Sequence, residues 1–253
     1  NPALNGYLGR RAVERGDFDE AISRLDVPIK KGLGTADDYY LRGVAALNLG
    51  RIKDAVPDLE KALELKPDHP QASDLLKLAQ VHAFMGNQAQ ADSVYRSLIE
   101  TDSTSRDARF ALLEMAKMQY RIKDYPTAVG TLSRRIALDP NSDEAYYYRG
   151  LSYKEMKQLP EAVSDLRSAA TLAPAKGDRH FWLAVTLTQA DSIDAGLDEF
   201  RATVVVDSTS KNAAVAYQQL GYRNLLKKDW GGAINQLERS SAACLQGRRA
   251  RRS

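Results

Sequence analysis

The sequence predicts an all-α protein in which seven antiparallel helix-turn-helix hairpins stack as a solenoid. Three observations support this prediction: an internal repeat of about 34 residues, small residues at two fixed positions of each repeat, and Gly or Pro where helices should end. The composition, with 43% hydrophobic and 27% charged residues, is that of a folded protein. No stretch approaches the roughly 20 apolar residues of a membrane-spanning helix, so we expect no transmembrane segment.

The repeat is clearest in pairs of small residues that lie twelve positions apart. Two antiparallel helices joined by a tight turn must cross closely, and Gly or Ala on each helix lets the two backbones approach without a clash. Seven such pairs follow one another along the chain, which predicts seven hairpins. They are Gly9 with Ala21, Gly43 with Ala55, Ala79 with Ala91, Ala116 with Ala128, Gly150 with Ala162, Ala184 with Gly196, and Gly221 with Ala233.

A large apolar residue follows the second small residue of every pair by four positions. Residues four apart share one face of a helix, so we expect these side chains to fill the space between neighbouring hairpins. The seven residues are Leu25, Leu59, Tyr95, Leu132, Leu166, Phe200 and Leu237.

Gly and Pro mark the expected boundaries of the helices. Gly16, Gly50 and Gly86 occupy predicted turns, where a left-handed backbone is easiest for Gly. Pro126 and Pro160 fall at the predicted first position of a second helix, where the missing N–H has no partner to lose. Further boundary signals are the predicted N-caps Thr35 with Asp38 and Ser142, and the helix-ending residues Pro67, Pro140 and Pro174.

Two repeats depart from this pattern. Pro28 lies inside the second helix of the first repeat, so that helix should be short or kinked and the first hairpin should be an irregular cap. In the sixth repeat Asp191 replaces the turn glycine, and the run from Val204 to Val206 would suggest a strand if it were taken alone. The repeat context favours a helix there.

These small, large and boundary residues resemble the pattern of the tetratricopeptide repeat family over nearly the whole chain. The resemblance implies a right-handed superhelical solenoid, here a single domain over residues 1–247 that is followed by a basic tail over residues 248–253. The implied repeat units are 2–35, 36–69, 72–105, 109–142, 143–176, 177–210 and 214–247.

The charge balance argues against a nucleic-acid partner. The chain has 36 Lys and Arg against 33 Asp and Glu, and four of the arginines lie in the last six residues. The rest of the chain is therefore nearly neutral and lacks the broad positive surface that binding to phosphates needs. The Arg-rich tail has two interpretations: a solvated chain end, or a segment that touches anionic lipid, nucleic acid or an acidic partner.

No residue pattern indicates catalysis, a metal or a cofactor. The three histidines, His69, His82 and His180, lack the spacing of metal ligands, and the sequence has neither a Gly-rich phosphate loop nor a Gly-x-Ser-x-Gly elbow. Cys244 is the only cysteine, so no intramolecular disulfide can form, and we expect it to pack within the last helix. We therefore expect a protein that is not an enzyme and that binds no metal or cofactor.

The resemblance also implies where a partner would bind, because the first helices of successive tetratricopeptide repeats line a concave groove. The implied groove positions hold ten of the nineteen aromatic residues, and aromatic residues are common binding hot spots. The rival interpretation is ordinary packing between hairpins. Two pairs of adjacent aromatic residues cannot all turn into one seam, so some of these four side chains should be exposed. The candidate binding residues are Tyr40, Lys117, Arg121, Tyr147, Tyr148, Phe181 and Trp182.

The expected function is that of a non-enzymatic scaffold or adaptor, which holds a protein or peptide partner in the groove as part of a larger assembly. Lysines and carboxylates interleave over the groove positions, so a strongly acidic ligand is not specifically favoured. Two alternatives stay open: a structural protein that self-associates end to end through its terminal repeats, and a regulatory segment of a longer protein. The chain begins at Asn1 without an initiator Met, which favours an exported (periplasmic or extracellular) protein over a cytoplasmic one.

Overall fold

The computed structural model describes residues 1–65, 72–101 and 103–249 of the chain. Within these ranges the chain forms α-helices and no β-strand, which confirms the predicted class of antiparallel helical hairpins. The predicted unit end at Pro67, the histidine at His69 and the tail beyond Arg249 lie outside the described residues. The helices are α1 (Pro2–Arg15), α2 (Phe18–Lys30), α3 (Ala36–Asn48), α4 (Ile52–Leu65), α5 (Ala72–Phe84), α6 (Gln88–Thr101), α7 (Arg106–Arg121), α8 (Tyr125–Leu138), α9 (Asp143–Glu155), α10 (Leu159–Leu172), α11 (Gly177–Gln189), α12 (Ile193–Val206), α13 (Lys211–Leu226) and α14 (Trp230–Arg249).

The chain divides into two compact units, residues 1–115 and 116–253. In the N-terminal unit, α1 pairs with α2, α3 with α4 and α5 with α6, and the first helices α1 and α3 are neighbours. In the C-terminal unit, α9 pairs with α10, α11 with α12 and α13 with α14. The first helices α9, α11 and α13 lie side by side in that order, so they present one continuous row of helices.

The predicted close crossing of the two helices of a hairpin is present at Gly150. A Cβ atom at this position would lie 2.8 Å from Cγ of Leu166 and 3.1 Å from its backbone nitrogen, so only a glycine fits without displacing α10. Leu166 is fully buried, and it packs with Leu151 of α9 and Leu183 of α11. One leucine thus joins the two helices of its own hairpin to the next hairpin.

The large apolar residue is exposed only in the last hairpin. Its counterparts in the six preceding hairpins are buried, whereas Leu237 on α14 is 40% exposed. The prediction that Leu237 fills a space between hairpins is therefore wrong. The reason is that no further hairpin of the described chain packs against that face of α14.

Every turn between the two helices of a hairpin has a residue in the left-handed region. The predicted turn glycines have φ angles of 77°, 71° and 80°, at Gly16, Gly50 and Gly86. The later hairpins reach the same conformation without glycine, at Lys123, Lys157, Asp191 and Lys228, with φ between 61° and 66°. This conformation lets the next residue close the helix end, because its N–H donates to the carbonyl five residues earlier, as Gln158 does to Tyr153 at 2.9 Å.

The irregular repeats and the predicted caps fit the helical pattern with small changes. Helix α2 continues through Pro28, which lies in its last turn, and at 13 residues it is one residue shorter than α4. The valine run is helical, as predicted, and Thr35 forms a capping box with Asp38. Pro126 and Pro160 occupy the second rather than the first helical position, where an N–H would still lack a partner within the helix.

We expect Gly150→Ala to lower the free energy of unfolding by about 1–3 kcal/mol, because the new methyl group meets the buried Leu166 and its backbone. Gly130 is the matched control, since it lies within α8 and has nothing within 4 Å of the position of a Cβ atom. Gly130→Ala should raise the free energy of unfolding by up to about 1 kcal/mol through helix propensity. Urea unfolding followed by circular dichroism measures both, and equal stabilisation of the two variants would contradict the close crossing at Gly150.

Candidate functional site

The adjacent aromatic residues on the first helices divide into a buried and a partly exposed member. Tyr147 and Phe181 are only 9% and 7% exposed, whereas Tyr148 and Trp182 keep part of their rings on the surface. Consecutive residues of a helix are rotated by about 100°, so one member of each pair turns into the seam between helices and the other turns out of it. Some of the four rings are therefore exposed, as the sequence predicts, and a role of the buried Tyr147 and Phe181 in binding stays a prediction.

The two buried rings hold neighbouring hairpins together. Tyr147 packs against Leu151 and Leu183, and the guanidinium of Arg179 lies 3.9 Å from its ring centroid. Phe181 packs edge-on against Phe200, with ring centroids 6.0 Å apart. These contacts fix the positions of α9 and α11, and with them the positions of the neighbouring Tyr148 and Trp182.

A lysine lies over each of the two partly exposed rings. The Nζ atom of Lys117 on α7 is 5.6 Å from the ring centroid of Tyr148 and 2.9 Å from a carboxylate oxygen of Glu144. The Nζ atom of Lys154 on α9 is 5.1 Å from the ring centroid of Trp182. A cation over an aromatic face is attracted to it by about 0.5–1 kcal/mol at an exposed site, so each contact restrains both side chains.

We name these side chains the aromatic–lysine surface: Lys117, Glu144, Tyr148, Lys154 and Trp182. All five lie in the C-terminal unit, on α7, α9 and α11. The ammonium groups are more shielded than the carboxylate, because the side chains of Lys117 and Lys154 are 20% and 12% exposed and that of Glu144 is 39% exposed. The surface therefore offers aromatic edges and paired charges that are already ordered.

Tyr120 extends the row of rings at the end of α7. Its ring centroid lies 5.7 Å from that of Tyr148 and 5.6 Å from that of Tyr125, both in tilted or edge-on geometry. Burial, with a smaller effect of the nearby Glu155 carboxylate, raises the pKa of Tyr120 to about 12. Burial also raises the pKa of Tyr147.

The two other candidate residues are separate from these rings. Arg121 is exposed at the end of α7. Tyr40 belongs to the N-terminal unit, where Nζ of Lys77 donates to its hydroxyl at 3.4 Å and lies 5.7 Å from its ring centroid. Lys77 and Tyr40 thus repeat the contact between a lysine and an aromatic ring in the other unit.

Sequence reasoning missed a guanidinium clamp behind the aromatic–lysine surface. Arg149 on α9 donates to both carboxylate oxygens of Asp165 on α10, at 2.7 Å and 2.8 Å, and to Ser133 on α8 at 3.0 Å. Arg42 makes the corresponding bidentate contact with Asp58, with both distances at 2.7 Å. The signal in the sequence is an Asp sixteen positions after an Arg in the second and fifth repeats.

The remaining candidate chemical groups have structural environments. Nδ1 of His180 lies 2.7 Å from Glu199, and Nε2 lies 3.1 Å from the carbonyl oxygen of Pro174. This ring therefore joins α11 to α12 and to the loop between α10 and α11. His82 is buried, with Nε2 3.3 Å from Glu60. Cys244 is exposed, so the prediction that it packs within the last helix is wrong, because it lies on the outer side of α14.

Groups of metal ligands and membrane-spanning helices are both absent from the described part of the chain. No three His, Cys, Asp or Glu side chains converge there as the ligands of a metal ion would. None of the helices in that part is both long enough and apolar enough to cross a lipid bilayer.

We expect Tyr120→Phe to reduce the loss of stability at alkaline pH. The folded-state pKa of about 12 lies above the ordinary value of 10.0, so this group contributes stability below pH 10 that is lost as the pH rises through 12. A phenylalanine cannot ionise, and the variant should therefore lose less stability than the wild type over this interval. Thermal unfolding at pH 9 to 12 measures the difference, with Tyr222→Phe as the control at an exposed position, and identical pH profiles for Tyr120→Phe and the wild type would contradict the assignment.

Comparison with known proteins identifies the repeats. Two family models of the tetratricopeptide repeat match the chain, one over residues 36–69 and the other over residues 75–105 and 144–175. DnaJ homolog subfamily C member 3 of Gallus gallus is 22% identical over 227 residues, which cover 84% of this chain and 44% of that protein. The chain therefore spans less than half the length of this curated relative.

Two solved structures of tetratricopeptide-repeat proteins have the same fold. The C-terminal part of a TPR repeat-containing protein from Cytophaga hutchinsonii superposes with a TM-score of 0.80 at 16% identity, over 94% of this chain and 95% of that one. YrrB, described as a TPR protein with an unusual peptide-binding site, gives a TM-score of 0.58 at 17% identity, over 77% of this chain and 98% of that one. The matched segments and the hairpin fold identify tetratricopeptide repeats within this chain.

Proposed function

We propose that the aromatic–lysine surface binds a segment of a partner protein and that the chain is a non-enzymatic scaffold or adaptor within a larger assembly. The observation that carries this proposal is the partial exposure of Tyr148 and Trp182 beside rings that are fully packed. Side chains that served only to join hairpins would turn into the seam, as Tyr147 and Phe181 do.

The physical state of these side chains suits protein binding. Large aromatic rings supply contact area while losing few rotamers, which makes them frequent hot spots. Tyr148 and Trp182 are already restrained by the lysines above them and by the buried rings beside them. A partner would therefore lose little entropy in ordering this surface, and more of the contact energy would appear as affinity.

We assign two roles to the predicted site residues on this basis. Tyr148, Trp182 and Lys117 would contact the partner, and the exposed Arg121 at the end of α7 would add a separate contact. Tyr147 and Phe181 would act as positioning residues. Tyr40 would belong to a separate contact on the N-terminal unit.

The comparisons support a protein partner. The related chicken protein is a DnaJ homologue by name, and YrrB is described as having a peptide-binding site. We infer the same class of ligand, a protein segment, for this chain.

End-to-end self-association is a second candidate function, which the exposed face of α14 favours. Trp230, Ile234 and Leu237 form one exposed stripe at spacings of four and three residues. In α10, the residues of the same register include Val163 and Leu166, which pack against the next hairpin. The stripe on α14 therefore corresponds to the surface of α10 on which the first helix of the next hairpin packs.

The N-terminal unit offers the other half of that contact. Leu4 and Tyr7 on α1 are exposed, although they have the register that in α11 is held by the buried Arg179 and the partly buried Trp182. We propose that α1 of one copy could pack on α14 of another. Because these surfaces differ, such a contact is heterologous and can continue from copy to copy.

We expect the double variant Tyr148→Ala with Trp182→Ala to weaken partner binding by at least about tenfold, because it removes two hot-spot rings. The partner is first recovered by affinity capture from the native source and identified by mass spectrometry, and its affinity for purified variants is then measured. The matched control is Tyr7→Ala with Phe84→Ala, which removes two exposed rings of the N-terminal unit. A folded double variant that binds the partner as tightly as the wild type would contradict the proposed surface.

For self-association, we expect the wild type to gain mass with concentration in light scattering and Ile234→Glu with Leu237→Glu to stay monomeric, because two charges replace the apolar stripe. Val205→Glu serves as the control, since Val205 is exposed on α12 outside the stripe. A wild type that is monomeric at every concentration would exclude this candidate.

A further inference from the structure

An open cavity of about 540 Å³ lies along the second helix α10 and shares no residue with the aromatic–lysine surface. It is bounded by Pro140 in the loop before α9, by Tyr146 near the start of α9, and by one side of α10 from Pro160 to Leu172. Tyr146 and Tyr148 are two positions apart on α9, so their side chains are rotated by about 200° and leave the helix on opposite sides. The cavity is therefore a separate site.

The inner wall of the cavity is apolar and continuous with the core. Tyr146 and Val163 line it, and both are partly buried against the core cluster that contains Leu151 and Leu166. The guanidinium of Arg149 lies 5.6 Å from the ring centroid of Tyr146 and restrains this ring. An apolar side chain of a ligand would be removed from water against this wall, which favours binding.

Arg167 is the one charged side chain that lines the cavity, and it is exposed. Within the described part of the chain it takes part in no ion pair. The neighbouring Asp165 accepts two hydrogen bonds from Arg149, at 2.7 Å and 2.8 Å, and Asp139, which precedes the loop proline, pairs with Arg135 at 3.0 Å. These carboxylates already have partners, so the cavity carries a net positive charge.

The same position on the next second helix shows what Arg167 lacks. On α12, Arg201 pairs with Asp198, three residues before it. On α10 the residue three positions before Arg167 is Ser164, which cannot neutralise the guanidinium. Glu161 is exposed on α10, but it does not line the cavity. Of these two equivalent arginines, Arg167 is thus the one whose charge is open to a carboxylate from another molecule.

Hydroxyl groups follow one another along the polar side of the cavity. Ser168 donates to the carbonyl of Ser164 at 3.1 Å and Thr171 to that of Arg167 at 2.9 Å, so their oxygens can still accept a hydrogen bond. The hydroxyls of Ser164 and Tyr146 form no hydrogen bond among the described residues and can donate as well as accept. Such groups suit an extended chain, whose backbone N–H and C=O groups need partners, better than a helix, which pairs most of its own.

We propose that this cavity binds an extended segment of a second partner protein, with an acidic side chain on Arg167 and apolar side chains against Tyr146 and Val163. From Pro160 to Leu172, α10 is about 18 Å long, and an extended chain covers this length in roughly five or six residues. A guanidinium binds a carboxylate in bidentate geometry, which fixes the position of the segment. This inference goes beyond the proposed function, because a chain with two separate sites can hold two proteins at once.

Selection from a peptide library tests the ligand chemistry without knowledge of the natural partner. The probe is a phage-displayed library of random seven-residue peptides, selected on the full chain with Tyr148→Ala and Trp182→Ala, so that the aromatic–lysine surface does not contribute. The enriched peptides should share an acidic residue beside apolar ones, and the same selection with Arg167→Glu added should yield a basic residue there. The inference fails if no peptide is enriched, if no acidic residue is shared, or if both selections yield the same peptides.

Variants then locate the binding of one enriched, fluorescein-labelled peptide by fluorescence anisotropy. Arg167→Gln should weaken it about tenfold, because the carboxylate loses its cation, and Ser164→Asp should do the same by giving Arg167 the partner that Asp198 gives Arg201. The matched control is Arg201→Gln, which removes the equivalent guanidinium of α12 and should leave the affinity unchanged. An equal loss with Arg201→Gln, or an unchanged affinity with Ser164→Asp, would overturn the inference.

The outcome is separable from that of the proposed function. The enriched peptide should bind the wild type and the chain with Tyr148→Ala and Trp182→Ala equally tightly, because the cavity contains neither residue. A natural partner lost on substitution of Tyr148 and Trp182, together with failure of the peptide selection, would leave the adaptor proposal intact and remove only the α10 site. Peptide binding that depends on Arg167 would support the α10 site, whatever the result with Tyr148 and Trp182.

Discussion

The close approach of two helices at a pair of small residues is the contact on which each hairpin depends. At Gly150 the backbone of α9 comes so near to α10 that a single methyl group would meet Leu166. This proximity buries Leu166 completely and lets the same side chain reach the following hairpin. Packing within this hairpin and packing against the next hairpin are therefore coupled, because Leu166 takes part in both.

The candidate binding surface follows from that packing. Once α9 and α11 are fixed by their seams, the rotation from one residue to the next turns Tyr148 and Trp182 outward while Tyr147 and Phe181 stay inside. The lysines of the preceding first helices then lie over the outward rings. The hydrogen bonds of Arg149 join α8, α9 and α10. The helices that carry the aromatic–lysine surface are therefore held by hydrogen bonds as well as by apolar packing.

The fold could be predicted because its determinants are local and repeat. Paired small residues, Thr35 with Asp38, and Gly50 in its turn all act within one hairpin, and each was found where the sequence placed it. The burial of Tyr147 could not be predicted, because it depends on which side of α9 faces α11, a property of two helices together. The left-handed conformation of turn lysines such as Lys157 could not be predicted either, because the hairpin turn requires a conformation that lysine disfavours.

The exposed outer side of the last hairpin has a consequence for the energetics of recognition. Helices α13 and α14 rest on α11 and α12, and no described element covers their other side, so they pack against one neighbouring hairpin where an internal hairpin packs against two. In a repeat array, such a terminal element opens at a lower free energy than the units behind it. A ligand that covers the open side of this hairpin would supply the missing neighbour. Binding of that ligand would stabilise the last hairpin, and a substitution that destabilises the hairpin would lower the apparent affinity for the ligand, by mass action.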